Sequence, residues 1–285
     1  MFYPANEEQC AQAAAQLVRS NDAAAGRQQW IGAIVPHAGW ICSGAIAGEA
    51  IGTLQRSAAA RGDVDVVVVF GAVHTPLPLD CAVLASHDTW VVPGGQSSVP
   101  EHLSAELESD SSDLFGVDDR FHEREHAVEV ELPLIQRAWP KALLLPIEVP
   151  LREDAVTVGA RTAATIQEAG LRPIYLASSD LTHYGPNYGF LPAGVGMNAL
   201  NWALENDREL LSVVTDMTPE RIVPHVREKL NACGGGAIAA MLGACREHGA
   251  KEAVVLRHTN SFDVLREIAP QRPDNAVGYA GVVVG

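Results

Sequence analysis

The chain lacks any apolar stretch approaching the roughly 20 residues that a membrane span needs. Its longest, 66–73, is interrupted by Gly71. It also lacks runs of Lys or Arg: 20 basic residues face 35 acidic ones, for a net charge of −15. Nucleic acid is bound by clustered cations, so it is not an expected partner, and the same charge disfavours docking on anionic membranes. Residues 1–8 show no basic n-region and no apolar core, so no secretory leader is expected. The five cysteines, at 10, 42, 81, 233 and 245, contain no Cys-x-x-Cys pair. That spacing gives no disulfide framework, and the expectation is a reduced, cytoplasmic protein. Phosphate-loop, His-Glu-x-x-His, Gly-x-Ser-x-Gly and zinc-deaminase signatures are missing, and Gly194-Val195-Gly196 lacks the rest of a dinucleotide fingerprint.

What remains is a 285-residue chain that is 47% hydrophobic and 19% charged, enough to fill one large core. Short β-branched runs alternate with amphipathic windows. Strands are expected over 31–35, 64–70, 143–149, 173–177, 253–257 and 279–284. Two shorter ones, 82–85 and 90–92, are expected to pair with each other. Helices are expected over 43–56, 100–108, part of 125–138, 154–168, 197–214, 219–230 and 235–248. Such alternation predicts a three-layer α/β fold with a mostly parallel central sheet flanked by helices, in one domain over 1–285.

Three of the strands run into histidine. The first leads to Pro36-His37-Ala38-Gly39, the second to Gly71-Ala72-Val73-His74, and the strand at 173–177 to Ser178-Ser179-Asp180-Leu181-Thr182-His183. Ligands of open α/β sheets bind beyond the carboxyl ends of the strands. One histidine after one strand is commonly a hydrogen-bonded loop residue, but three from three strands point to a shared site. Cys233, in Ala232-Cys233-Gly234-Gly235-Gly236, stands before an apolar helix, where unsatisfied N–H groups favour a thiolate and the glycines are expected to leave room for a ligand. Cys10, Cys42, Cys81 and Cys245 read as packing residues. In Glu125-His126-Ala127-Val128-Glu129, a helix would set His126 and Glu129 on one face. Two imidazoles and a thiolate suit zinc, copper or iron, not calcium or magnesium, and three protein ligands leave an open coordination position.

These segments resemble the Memo family, also called AmmeMemoRadiSam system protein B. The resemblance is carried by Pro36-His37-Ala38-Gly39-Trp40-Ile41-Cys42-Ser43-Gly44, Phe70-Gly71-Ala72-Val73-His74, Glu125-His126-Ala127-Val128-Glu129-Val130-Glu131-Leu132-Pro133, Ser178-Ser179-Asp180-Leu181-Thr182-His183-Tyr184-Gly185 and Cys233-Gly234, with Tyr3-Pro4-Ala5 near the start. It implies a fold similar to the class III extradiol ring-cleavage dioxygenases, non-haem iron enzymes, with cysteine in place of their glutamate ligand. It also implies His37, His74 and Cys233 as metal ligands, with Asp180 and His183 beside the ion. The chain departs from the family pattern at Gly235-Gly236, where the family usually continues with Arg, and at Val73, where it commonly has Asn or Ser.

The expected function is therefore redox chemistry at one mononuclear ion, Fe(II) or Cu, with Zn as a third candidate. In that account His37, His74 and Cys233 hold the metal and His183 is the general acid/base. Asp180 orients it, and His126 with Glu129 forms the pocket wall. The substrate is an unidentified small molecule. Two alternatives stand beside this: a non-catalytic metal- or partner-binding module that works with a radical SAM protein, and a cysteine hydrolase with Cys233 as nucleophile and His183 as base. A homo-oligomer is compatible with every reading.

Overall fold

The computed structural model describes residues 2–26, 29–111 and 113–285. Its strands are β1 (Gly32–Val35), β2 (Val66–Gly71), β3 (Ala82–Leu84), β4 (Thr89–Val92), β5 (Gly95–Ser98), β6 (Phe115–Val117), β7 (Leu143–Glu148), β8 (Pro173–Ser178), β9 (His183–Tyr184), β10 (Ala253–Asn260) and β11 (Ala276–Val284). The helices are α1 (Glu7–Leu17), α2 (Asp22–Ala25), α3 (Gly44–Ala58), α4 (Glu101–Asp110), α5 (Leu132–Ala138), α6 (Ala155–Glu168), α7 (Met197–Thr215), α8 (Ile222–Lys229), α9 (Gly235–Glu247) and α10 (Ser261–Arg266).

The main sheet runs β10-β11-β1-β8-β2-β7-β3-β6, with β9 added to β11. Its four central strands, β1, β8, β2 and β7, are mutually parallel, and antiparallel pairs stand on either side. Parallel strands covered on both faces must be apolar on both, and Val66 to Phe70 are fully buried. Alternate residues then feed two cores. Ile34, Val68, Phe70, Ile147 and Ala177 pack beneath α6, α8 and α9. Ala33, Val35, Val67, Val69 and Leu176 pack beneath α1, α3 and α5. The result is the three-layer α/β fold that the strand–helix alternation predicts.

Two local expectations are corrected. The segments at 82–85 and 90–92 do not pair: β3 joins β7 and β6, while β4 pairs with β5. Pro93-Gly94 closes that hairpin between Val92 and Gly95. Proline sets the first turn position and Gly94, at φ +87°, takes the left-handed second one. Second, the helix expected in part of 125–138 is confined to its later residues, so His126 and Glu129 share no helical face. A 3-10 turn over Glu129–Glu131 precedes α5, which carries Pro133 in its first turn, where a missing N–H costs nothing.

Candidate metal centre

The order β1-β8-β2 sets three strand ends side by side. Val35 and Gly71 are both in register with Ser178, the last residue of β8. His37 follows Val35 by two residues, His74 follows Gly71 by three, and Asp180 follows Ser178 by two. All three therefore reach one crevice at the carboxyl edge.

Each imidazole is oriented. Ser178 Oγ donates to the carbonyl of Ala127, so its lone pair accepts from His37 Nδ1 at 2.9 Å. His37 Nδ1 thus carries the proton and Nε2 the free lone pair. Glu125 anchors His74, accepting from its Nδ1 at 2.8 Å and from its backbone N–H at 2.6 Å. The same carboxyl takes the N–H groups of His126 and Ala127 at 2.8 and 3.2 Å. Burial would raise the Glu125 pKa, but the bonds from His74 and His126 hold it below the usual carboxylate range.

His126 lies in the cluster rather than behind it. One ligand atom from each of His37, His74 and His126 falls within 4.8 Å of the others. The His126 ring stacks on His74 at 4.8 Å and stands edge-on to His37 at 5.2 Å. Its other face is covered by Phe2 at 4.7 Å. His37 is buried, His126 half-buried and His74 exposed at the mouth. Burial, then the neighbouring imidazoles, push the pKa of His37 well down, and burial with His74 lowers that of His126.

Cys233 joins through His37, its Sγ lying 3.3 Å from Nε2. The loop before α9 is tied to the end of β8: Sγ accepts the Asp180 N–H at 3.2 Å, and the Cys233 N–H reaches the Asp180 carbonyl at 3.2 Å. Burial and the Asp180 carboxyl push the Cys233 thiol up, against the bonds from Ser179 and the backbone that lower it. The expected room beside the glycines is filled by protein. A Cβ on Gly236 would lie 2.2 Å from the Pro150 carbonyl, and one on Gly234 2.7 Å from Ser179 Cβ.

Asp180 is 4% exposed and its Oδ1 accepts the His37 N–H at 2.9 Å. Burial pushes its pKa up to about 7. His183, on β9, donates from Nδ1 to the Leu181 carbonyl at 3.0 Å, which leaves Nε2 as an acceptor, and burial lowers its pKa. Glu129 is drawn elsewhere: its carboxylate takes the Tyr3 hydroxyl, and it shares no helix face with His126.

Several residues here went unassigned from sequence. Glu125 and Ser178 sit inside the quoted motifs, and their adjacency to His126 and Asp180 was the available signal. Behind Glu125, Glu148 and His122 are buried, with Oε1 and Nδ1 3.8 Å apart, beyond hydrogen-bond distance. Glu131 is likewise buried with both carboxyl oxygens unpartnered among the described residues. Burial raises the pKa of both carboxyls well above the usual range. A single acid closing an otherwise apolar strand was the signal for Glu148.

Comparison with known proteins identifies relatives of the chain. A family profile described as Memo-like protein matches residues 1–283. A MEMO1 family protein of Methanococcoides burtonii is 33% identical over 89% of this chain and 86% of its own length. One from Methanosarcina acetivorans is 30% identical over 99% of this chain and 96% of its own. Among solved structures, an uncharacterized protein, JW3007 from Escherichia coli K12, shares the fold at a TM-score of 0.51 and 12% identity, covering 81% of this chain and 90% of that one.

Proposed function

This chain belongs to the Memo-like family, and on that premise we propose that it is a mononuclear metal protein with redox chemistry toward a small organic molecule. His37, His74 and Cys233 hold the ion, and His126 is a fourth donor within reach. One observation carries the reading. Ser178 and Glu125 anchor the Nδ1 atoms of His37 and His74, which leaves both Nε2 atoms for the crevice, and burial disfavours a charged His37. Neutral, oriented imidazoles with anchored second nitrogens are what a metal requires. A bound cation would have to displace the proton of the Cys233 thiol.

The donor set suits Fe(II) or Cu, with Zn as the alternative; an Fe or Cu ion supplies one-electron transfer and oxygen binding when present. The chain's own groups handle protons. Neutral His183 offers Nε2 as a general base. Asp180, poised near neutrality, holds or releases a proton while its backbone N–H orients Cys233. Phe2 shields His126 from water. The hydrolase alternative loses support, since the imidazole beside Cys233 is that of His37, not His183.

The test is metal content of anaerobically prepared wild type, His37→Ala and Cys233→Ser after exposure to Fe(II), Cu(I) and Zn(II). The expectation is about one ion per chain in wild type and loss in both variants. Full retention by His37→Ala overturns the ligand set. An empty wild type turns the reading to a partner-binding module.

A further inference from the structure

Beside His74 a cavity of 430 Å³ opens to solvent, walled by Thr75, Pro76, Leu77, Arg120, Glu123 and Arg124. That is the lower range of small-ligand sites. Two guanidinium groups in one small cavity stand out in a chain of net charge −15. They are not equivalent. Arg120 is committed to Asp118, with Nε 2.9 Å from Oδ1 and a terminal nitrogen 2.5 Å from Oδ2. Arg124 has no hydrogen bond or ion pair among the described residues. It directly precedes Glu125, whose carboxylate ties His74, His126 and Ala127 together.

The other walls narrow the ligand. A free guanidinium matches a carboxylate in a two-point fork. Glu123 lines the same cavity and repels a second negative charge, which disfavours dianions such as phosphate esters. Leu77, 41% exposed, and Pro76 offer an apolar surface. We propose that this cavity is a substrate subsite in which Arg124 takes the carboxylate of a small organic monoacid, the apolar body of the ligand lying against Leu77 and Pro76 beside His74. The assignment rests on the metal-centre reading for its role as a substrate subsite, and it sets the substrate class.

The experiment is calorimetric titration with benzoate and with phenyl phosphate as probes, on wild type, Arg124→Gln, Glu123→Gln and His37→Ala. Benzoate is expected to bind wild type more tightly than phenyl phosphate does, and Arg124→Gln to weaken it by about tenfold or more, as loss of a charge-assisted hydrogen bond does. Glu123→Gln is expected to keep benzoate and to improve phenyl phosphate. Equal benzoate affinity in wild type and Arg124→Gln, no saturable benzoate binding, or a preference for phenyl phosphate in wild type overturns the proposal. Metal content of Arg124→Gln and benzoate binding by His37→Ala keep the two readings apart. Benzoate bound without metal leaves the subsite standing alone, and metal bound without benzoate leaves only the metal centre.

Discussion

The two edges of the central sheet differ in a way that volume does not reveal. At the amino edge, a cavity of 670 Å³ lies between the end of α3, the start of β2 and the α5–β7 turn, lined by Ala58, Val64, Trp139, Leu143 and Leu171 among others. Of its two acids, Asp63 is exposed and Asp65 is spent on Arg172, which holds that carboxyl below its ordinary range. At the carboxyl edge the hollow beside His74 is smaller, yet in and behind the histidine cluster His37, Glu125, Glu131, Glu148 and Asp180 are all buried. Burying such groups is costly unless they are paired or used. The chemistry collects where parallel strands end together, and the larger hollow is a by-product of helix ends.

The sharpest way to break that contrast is Glu125→Gln. An amide cannot accept four N–H groups and brings two donors of its own, so the hub of the carboxyl edge fails. The expected cost is about 3 kcal/mol, as for removal of one partner from a buried charged network, with metal affinity down 10- to 100-fold. Chemical denaturation and metal titration check both. A variant as stable as wild type with unchanged affinity would make the two edges equivalent.

How much of this was legible beforehand follows from what fixes each element. The central strands were, because buried β-branched runs such as 66–70 admit few alternatives, and so was the arrival of His37, His74 and Asp180 at one edge. Helix α1, capped by Asn6 on the Gln9 N–H, and α10, capped by Asn260 on Asp263, were not read; both are short and depend on packing for their stability. The place of His126 was hidden by reading its segment as helix. Its position depends instead on Glu125 folding back onto the backbone of residues 126 and 127. Local side-chain-to-backbone ties of that kind leave no periodic trace.

The second test is the pH profile of His122. Burial lowers its pKa to about 4, against about 6.5 in an unfolded chain. Between those values the unfolded chain binds a proton that the native state refuses. The stabilisation is therefore complete above about pH 6.5 and is lost as pH falls toward 4, at up to about 1.4 kcal/mol per unit. Wild type minus His122→Asn, compared in denaturation midpoints from pH 7 to 4, isolates that slope from Glu148. A flat difference would show that His122 is solvated like a surface histidine.

A third, smaller effect is expected where α9 begins. In Gly236→Ala the new methyl group lies 2.2 Å from the Pro150 carbonyl, and backbone cannot rotate away. Moving the start of α9 costs about 2 kcal/mol in the range of overpacked cores and carries Cys233, two residues before the helix, away from His37. Thermal unfolding measures the first effect. Faster extraction of bound metal by a chelator measures the second, and unchanged extraction would show that the loop before α9 moves independently of the helix.

The smallest effect belongs to the amino edge, and it completes the comparison. Ala59 lines the large cavity and is exposed. Ala59→Leu adds apolar volume to a hollow with no buried acid or imidazole among its lining residues, so stability is expected to shift by no more than about 0.5 kcal/mol, as for ordinary surface substitutions. Metal content and benzoate affinity should match wild type, because no lining residue of that cavity contacts the histidine cluster. A loss of either would mean that the amino edge communicates with the site through the sheet, and cavity size would then regain a claim on function.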